Sequence, residues 1–233
     1  MLVMEKVFGI GFSKTGTTSL EDVFETLGYN TCKGHWNLKH NDYLLSLYVN
    51  KDYNEIYKMT QYWDAYADGP WGGGDLYKKL YEWYPDAKFI LTYREPEKWY
   101  ESFYQMLTKF DDSEEKAMEA FHINKRYGTI YFFKHIFKID NLKNNKQQIV
   151  DYYVRTNKEI EIFFDQKKNF LKIDLTKEKQ HNPWEIICDF LEKSVPDIPF
   201  PHSNKGHLNT GLKNKPSLKD KVKHKMISII KKI

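Results

Sequence analysis

A short apolar run, Val7, Phe8 and Ile10, passes into Gly9-Ile-Gly-Phe-Ser-Lys-Thr-Gly-Thr-Thr18, and Leu20, Val23, Phe24 and Leu27 then recur at helical spacing. Strand, glycine turn and helix in that order predict the first βα unit of a parallel sheet, with Gly28 as the helix stop. Within the turn, Gly11 and Gly16 supply the G-x-x-x-x-G frame of a phosphate-binding loop. Such a frame cradles an anion with main-chain N–H groups and with the positive start of the helix. In ATP-using loops a lysine follows the second glycine. Here Thr17 stands there and the lysine lies inside the loop, at Lys14. Ser13 and Gly16 complete the binding segment, and Thr15, Thr17 and Thr18 add hydroxyl donors. The competing explanation is a plain strand-to-helix turn with a Ser/Thr cap.

The remaining punctuation repeats this unit. Helix is predicted over 37–63 and 76–84, from Pro96 through Leu107, in several pieces between 111 and 168, and over 183–191. Apolar runs at 88–93 and 169–175 read as further buried strands. Gly69-Pro70 and Gly72-Gly-Gly74 mark 65–74 as loop, and 195–211 reads as loop as well. The order βα, αβα, αβα predicts an α/β fold with a central parallel sheet flanked by helices. Residues 1–211 read as one such domain. Residues 212–233 read as a basic amphipathic C-terminal helix, with Leu218, Val222, Met226, Ile229, Ile230 and Ile233 at helical spacing among lysines.

Composition narrows the function classes. With 41% hydrophobic and 16% aromatic residues, the 233-residue chain has enough for one large core. A net charge of +4 fits an anionic ligand and is too small to argue for nucleic acid. The two cysteines, Cys32 and Cys188, are far apart and outline no disulfide framework, so a reducing, cytoplasmic location is expected. No run approaches the roughly 20 apolar residues of a membrane span, and Met1–Gly9 is too short for a secretion signal. The basic tail leaves two expectations open: peripheral contact with an anionic membrane surface, or a helix docked on the domain. Oligomeric state is not legible.

The second strand of the apolar pattern ends at Tyr93 and delivers Arg94 at its carboxyl end. Ser102 follows eight residues later, about two turns into the next helix. Ligands of open α/β sheets bind at such strand ends, so Arg94 and Ser102 are candidates for meeting a second phosphate. The competing explanation pairs Arg94 with Glu95 or Glu97.

Lys14-Thr-Gly-Thr-Thr18 together with Tyr93-Arg-x-Pro-x-x-x-x-x-Ser102 resembles the sulfotransferases that use 3′-phosphoadenosine 5′-phosphosulfate (PAPS). Gly11 to Leu20, Tyr84-Pro-Asp-Ala-Lys-Phe-Ile-Leu-Thr92, Trp99-Tyr-Glu-Ser102 and Pro199-Phe-Pro-His202 are similar to a sulfotransferase-like branch of the P-loop proteins. The resemblance runs from about residue 6 to residue 207. It implies a P-loop nucleotide-binding fold, a loop that holds the 5′-phosphosulfate, and Arg94 and Ser102 on the 3′-phosphate. It also implies 3′-phosphoadenosine 5′-phosphate (PAP) as product. The chain departs from the family at Ser19, where an adenine-stacking Trp is usual. The usual C-terminal Arg-Lys-Gly is replaced by Asn204-Lys205-Gly206, which makes Lys205 a candidate ligand.

Sulfuryl transfer to a hydroxyl or amine needs a base near the acceptor and positive charge at the leaving phosphate. Lys14 fits the second need, so no metal is required, and no His/Cys pair has metal-ligand spacing. The resemblance implies a base in the segment between the two motifs, just before a proline, where many family members use a histidine. Asp68 of Ala67-Asp68-Gly69-Pro70 occupies that place, His35 is the rival, and Asp64 ranks third. The alternative for Asp68 is a simple turn starter. A carbohydrate or small metabolite is the expected acceptor. A P-loop small-molecule kinase and a noncatalytic PAP-binding protein remain as other functions for the same frame.

Overall fold

The computed structural model describes residues 5–32, 38–108, 135–139, 143–177 and 182–201. Five parallel strands, β1 (Val7–Gly9), β2 (Thr31–Cys32), β3 (Ala65–Tyr66), β4 (Lys88–Thr92) and β5 (Phe170–Ile173), form one sheet in the order β2-β3-β1-β4-β5. The helices are α1 (Thr17–Thr26), α2 (Leu38–Val49), α3 (Tyr53–Met59), α4 (Tyr77–Trp83), α5 (Pro96–Thr108), α6 (Lys146–Phe163) and α7 (Pro183–Phe190). The predicted α/β class with a helix-flanked parallel sheet is what the chain adopts.

Period-2 alternation assigns the two faces of the sheet. Val7, Ala65, Ile90 and Ile173 point to one side, where Leu20, Val23 and Phe24 of α1 and Trp184, Ile187 and Cys188 of α7 cover them. Phe8, Tyr66 and Phe89 point to the other. There Phe8 stacks on Tyr66 at 5.0 Å and on Phe89 at 5.5 Å, and Phe164, just past α6, meets Phe89 at 4.9 Å. Register enforces this layering: Phe8 pairs with Tyr66 on one side and with Phe89 on the other. Each such fully buried side chain stabilises the fold by roughly 1.5–3 kcal/mol over exposure. Cys32 and Cys188 are both buried, and neither is in a disulfide among the described residues.

The strand order places β1 between β3 and β4. From β1 the chain goes out to β2 and β3, then crosses back over β1 to β4. The connections leaving β1 and β4 therefore diverge, which opens a crevice beyond their carboxyl ends.

The expectation for 65–74 needs correction. The segment 65–74 begins with strand β3 at Ala65–Tyr66 and is not loop throughout, and β2 went unpredicted. Each is only two residues long, too short for alternation to show, and the Gly-Pro and triple-glycine signals dominate the later segment. The chain partitions into Met1–Ser203 and Asn204–Ile233, so the helix expected over 212–233 falls in the second unit and outside the described residues. Among the described residues, no helix is long and apolar enough to cross a membrane.

Candidate active site

The chain turns sharply after β1 because Lys14 and Gly16 both adopt left-handed conformations, with φ of 73° and 102°. The left-handed residues bracket Thr15, whose N–H closes the turn onto the Phe12 carbonyl at 3.3 Å. Gly16 is the N-cap of α1 and offers no side-chain cap, so the positive end of this ten-residue helix opens directly onto the loop. Close approach fixes the rest of the loop. A β-carbon on Gly11 would lie 2.1 Å from the Thr92 hydroxyl and 2.4 Å from the Thr92 carbonyl oxygen.

The loop hydroxyls divide into two groups. Thr15 is fully buried; its hydroxyl donates to the Phe12 carbonyl at 2.6 Å and lies 2.6 Å from the Thr92 hydroxyl. With its one proton spent on Phe12, the Thr15 oxygen accepts from Thr92. The expectation of a Thr15 hydroxyl facing a ligand is thus corrected: this side chain ties the loop to β4, and the Thr15 N–H also turns to the Phe12 carbonyl, at 3.3 Å. Ser13 and Thr17 instead donate to Asp68, Ser13 through a short bond to Oδ1 and Thr17 at 3.2 Å to Oδ2. The Gly69 N–H adds a bond of 2.8 Å to Oδ1. Asp68 sits just past β3 with φ of 65°, half-buried, and three of its roughly four lone-pair sites are filled. The structure therefore brings Asp68 onto the loop and gives it a structural duty the sequence did not reveal.

Arg94 lies beyond β4. Its Nη1 reaches the Lys14 carbonyl at 3.4 Å, and its Nε is buried with no hydrogen-bond partner. Neither neighbouring glutamate holds it. Glu95 accepts the N–H groups of Lys98 and Glu97 at 3.0 and 3.2 Å and so caps α5, and Glu97 pairs with Lys146 at 2.7 Å. Those two N–H groups hold the Glu95 carboxyl below its ordinary value. An arginine with a buried, unfilled donor at a strand end beside an open helix N-terminus is a fitting partner for an anion. Ser102 lies half-buried on α5.

Two residues at this corner escaped the sequence reading. The Trp99 indole N–H donates to the Ser13 carbonyl at 3.0 Å, tying α5 to the loop. The Tyr153 hydroxyl donates to the Arg94 carbonyl at 2.7 Å and accepts the Arg94 N–H at 3.0 Å. Trp99 stood within a quoted motif, but nothing in the pattern of α6 marks Tyr153. His35 and Lys205 lie outside the described residues. Asp64 is on the far side of β3, where its carbonyl accepts the Val7 N–H at the start of β1. Among the described residues, no three His, Cys, Asp or Glu side chains group as a metal site.

Comparison with known proteins adds two findings. A family model described as the sulfotransferase domain matches residues 6–208. A protein of Aspergillus versicolor named Ava biosynthesis cluster protein M is 25% identical, over 88% of this chain and 84% of that protein. Since the family match takes in the glycine loop after β1, the Arg94 corner and the whole sheet, the chain belongs to the sulfotransferase-domain family.

Proposed function

We propose that this protein transfers a sulfuryl group from PAPS to a hydroxyl or amine of a carbohydrate or small metabolite, leaving PAP. The observation that carries this reading is Arg94, whose Nε is buried without a partner one strand away from an uncapped helix N-terminus. Two anion cradles side by side suit a ligand with anionic groups at both its 5′ and 3′ positions. A loop that presents Thr17 where ATP-using loops need lysine favours this donor over ATP.

In this reading the loop after β1 and the N–H groups of the first turn of α1 hold the 5′ end. Arg94, with Ser102, holds the 3′-phosphate through charge-assisted hydrogen bonds. When bound, PAPS supplies an activated sulfuryl group with a phosphate leaving group. The Lys14 ammonium stabilises negative charge at the leaving oxygen, where a fixed charge counts most as the bond breaks. Asp68 orients the Ser13 and Thr17 hydroxyls with the lone pairs they occupy, and the free lone pair on Oδ2 takes the acceptor's proton.

The test is to incubate the protein with radiolabelled PAPS and a panel of phenols, sugars and lipid-linked glycans, with a chelator present. Label transfer with stoichiometric PAP release is expected, strongly reduced in Lys14→Ala while PAP binding persists. Tight PAP binding without transfer to any acceptor class would make the protein a noncatalytic nucleotide binder. Phosphorylation of an acceptor from ATP would make it a kinase.

A further inference from the structure

The β4–β5 ladder ends at Thr92 opposite Ile173, with a last bond of 2.9 Å from the Tyr93 N–H to the Ile173 carbonyl. Arg94 comes next, beyond strand pairing, so its N–H and C=O need other partners. A single phenol satisfies both. Tyr153 donates to the carbonyl at 2.7 Å and accepts from the N–H at 3.0 Å. Burial pushes this phenol well up from its ordinary value, so it keeps the proton it donates.

Tyr153 is itself held rigidly. It is fully buried on α6, lies face to face on Trp99 at 4.0 Å and 11°, and meets Phe12 edge-on at 5.0 Å. Trp99 in turn bonds the Ser13 carbonyl, and Phe12 belongs to the phosphate loop. One side chain thus touches the loop, the first helix turn after β4 and the Arg94 main chain. The guanidinium has little else to direct it: one bond of 3.4 Å to Lys14 and a buried Nε with no partner.

We propose that Tyr153 is a positioning residue for ligand specificity: by clamping both main-chain groups of Arg94 it aims the guanidinium at a 3′-phosphate, and so sets the preference for 3′-phosphorylated adenine nucleotides over those with a free 3′-hydroxyl. The proposal rests on the reading of Arg94 as a phosphate ligand. In that reading Ser102 is the second ligand and is carried on α5, which Trp99 ties to the Ser13 carbonyl, while the Arg94 end is held by Tyr153.

The experiment measures binding of PAP and of adenosine 5′-phosphate (AMP) by calorimetry, without metal, to the wild type, Arg94→Ala and Tyr153→Phe. Phenylalanine keeps the stack on Trp99 and removes only the hydroxyl. The wild type is expected to prefer PAP, and Arg94→Ala to lose that preference. Tyr153→Phe is expected to bind PAP about tenfold more weakly, with AMP affinity within about twofold of wild type. A Tyr153→Phe protein that keeps the full preference, or loses both ligands equally, overturns the proposal while leaving Arg94 in place. A wild type that binds PAP and AMP alike overturns the Arg94 reading, and the proposal falls with it. Should Tyr153→Phe fail to fold, hydrogen exchange in the wild type decides: PAP, and not AMP, must slow the Arg94 amide, and equal slowing by both refutes the clamp.

Discussion

Gly72 lies directly on Gly11: a β-carbon built on Gly72 would stand 2.0 Å from the Gly11 carbonyl oxygen. Gly11 in turn leaves no room above Thr92, so the segment after β3, the loop after β1 and the end of β4 are stacked backbone on backbone. A Gly72 N–H bond to the Asp68 carbonyl at 2.9 Å holds the upper layer in place. Backbone cannot swing aside as a flexible side chain can, so Gly72→Ala should destabilise the fold by about 1–3 kcal/mol, the usual scale of overpacking. Urea unfolding measures this directly. PAP affinity should fall with it, because displacement of Gly72 moves Asp68 and the loop hydroxyls together. Unchanged unfolding midpoint and unchanged binding would mean the three layers are not coupled.

Asp68→Asn separates the two duties assigned to that carboxylate. The amide oxygen still accepts from Ser13 or Thr17, so PAP affinity is expected to stay within about fivefold of wild type. Transfer should drop by about 10²–10⁴, the scale of lost general-base catalysis. If affinity collapses in step with transfer, Asp68 is a strut for the loop and not the base. His35→Gln is expected to have the smaller effect, and the opposite ranking would move the proton to His35.

Glu95 offers a pH test with a defined sign. Its carboxylate caps α5 by accepting two N–H groups, which lowers its proton affinity in the folded state. A depressed carboxyl contributes stability that is present above its ordinary value of 4.5 and is lost as the pH falls through the folded value. Melting temperatures of wild type and Glu95→Ala should therefore differ at neutral pH and draw together in acid, as the pH falls below 4.5 through the depressed folded value. A gap that is the same at both ends of this range would show that the cap does not depend on charge.

Much of this architecture was legible in the residues because its signals are local. The glycine spacing at Gly11 and Gly16, the apolar run 88–93 and Arg94 at its end all express strand, turn and helix within a few positions, and all took the places expected. The two shortest strands were not legible, since two residues carry no period. Long-range contacts were lost for a different reason. Thr15 looked like a ligand donor until its partner, Thr92, came in from a strand 77 positions away. Tyr153 is 59 positions from Arg94, and a tyrosine on a long polar-faced helix carries no mark of the main-chain groups it will satisfy. Asp68 was found through its place before a proline, while its bonds to Ser13 and Thr17 came only with the fold.

The central claim, that the two cradles take a nucleotide phosphorylated at both ends, is tested most directly by calorimetry of PAP against ADP and ATP with metal removed. Truncating one partner of a charge-assisted phosphate contact costs about 2–5 kcal/mol, so PAP should bind the wild type at least tenfold more tightly than ADP, and Arg94→Ala should erase the difference. ADP or ATP binding as tightly as PAP, or a PAP preference untouched by Arg94→Ala, would contradict the account.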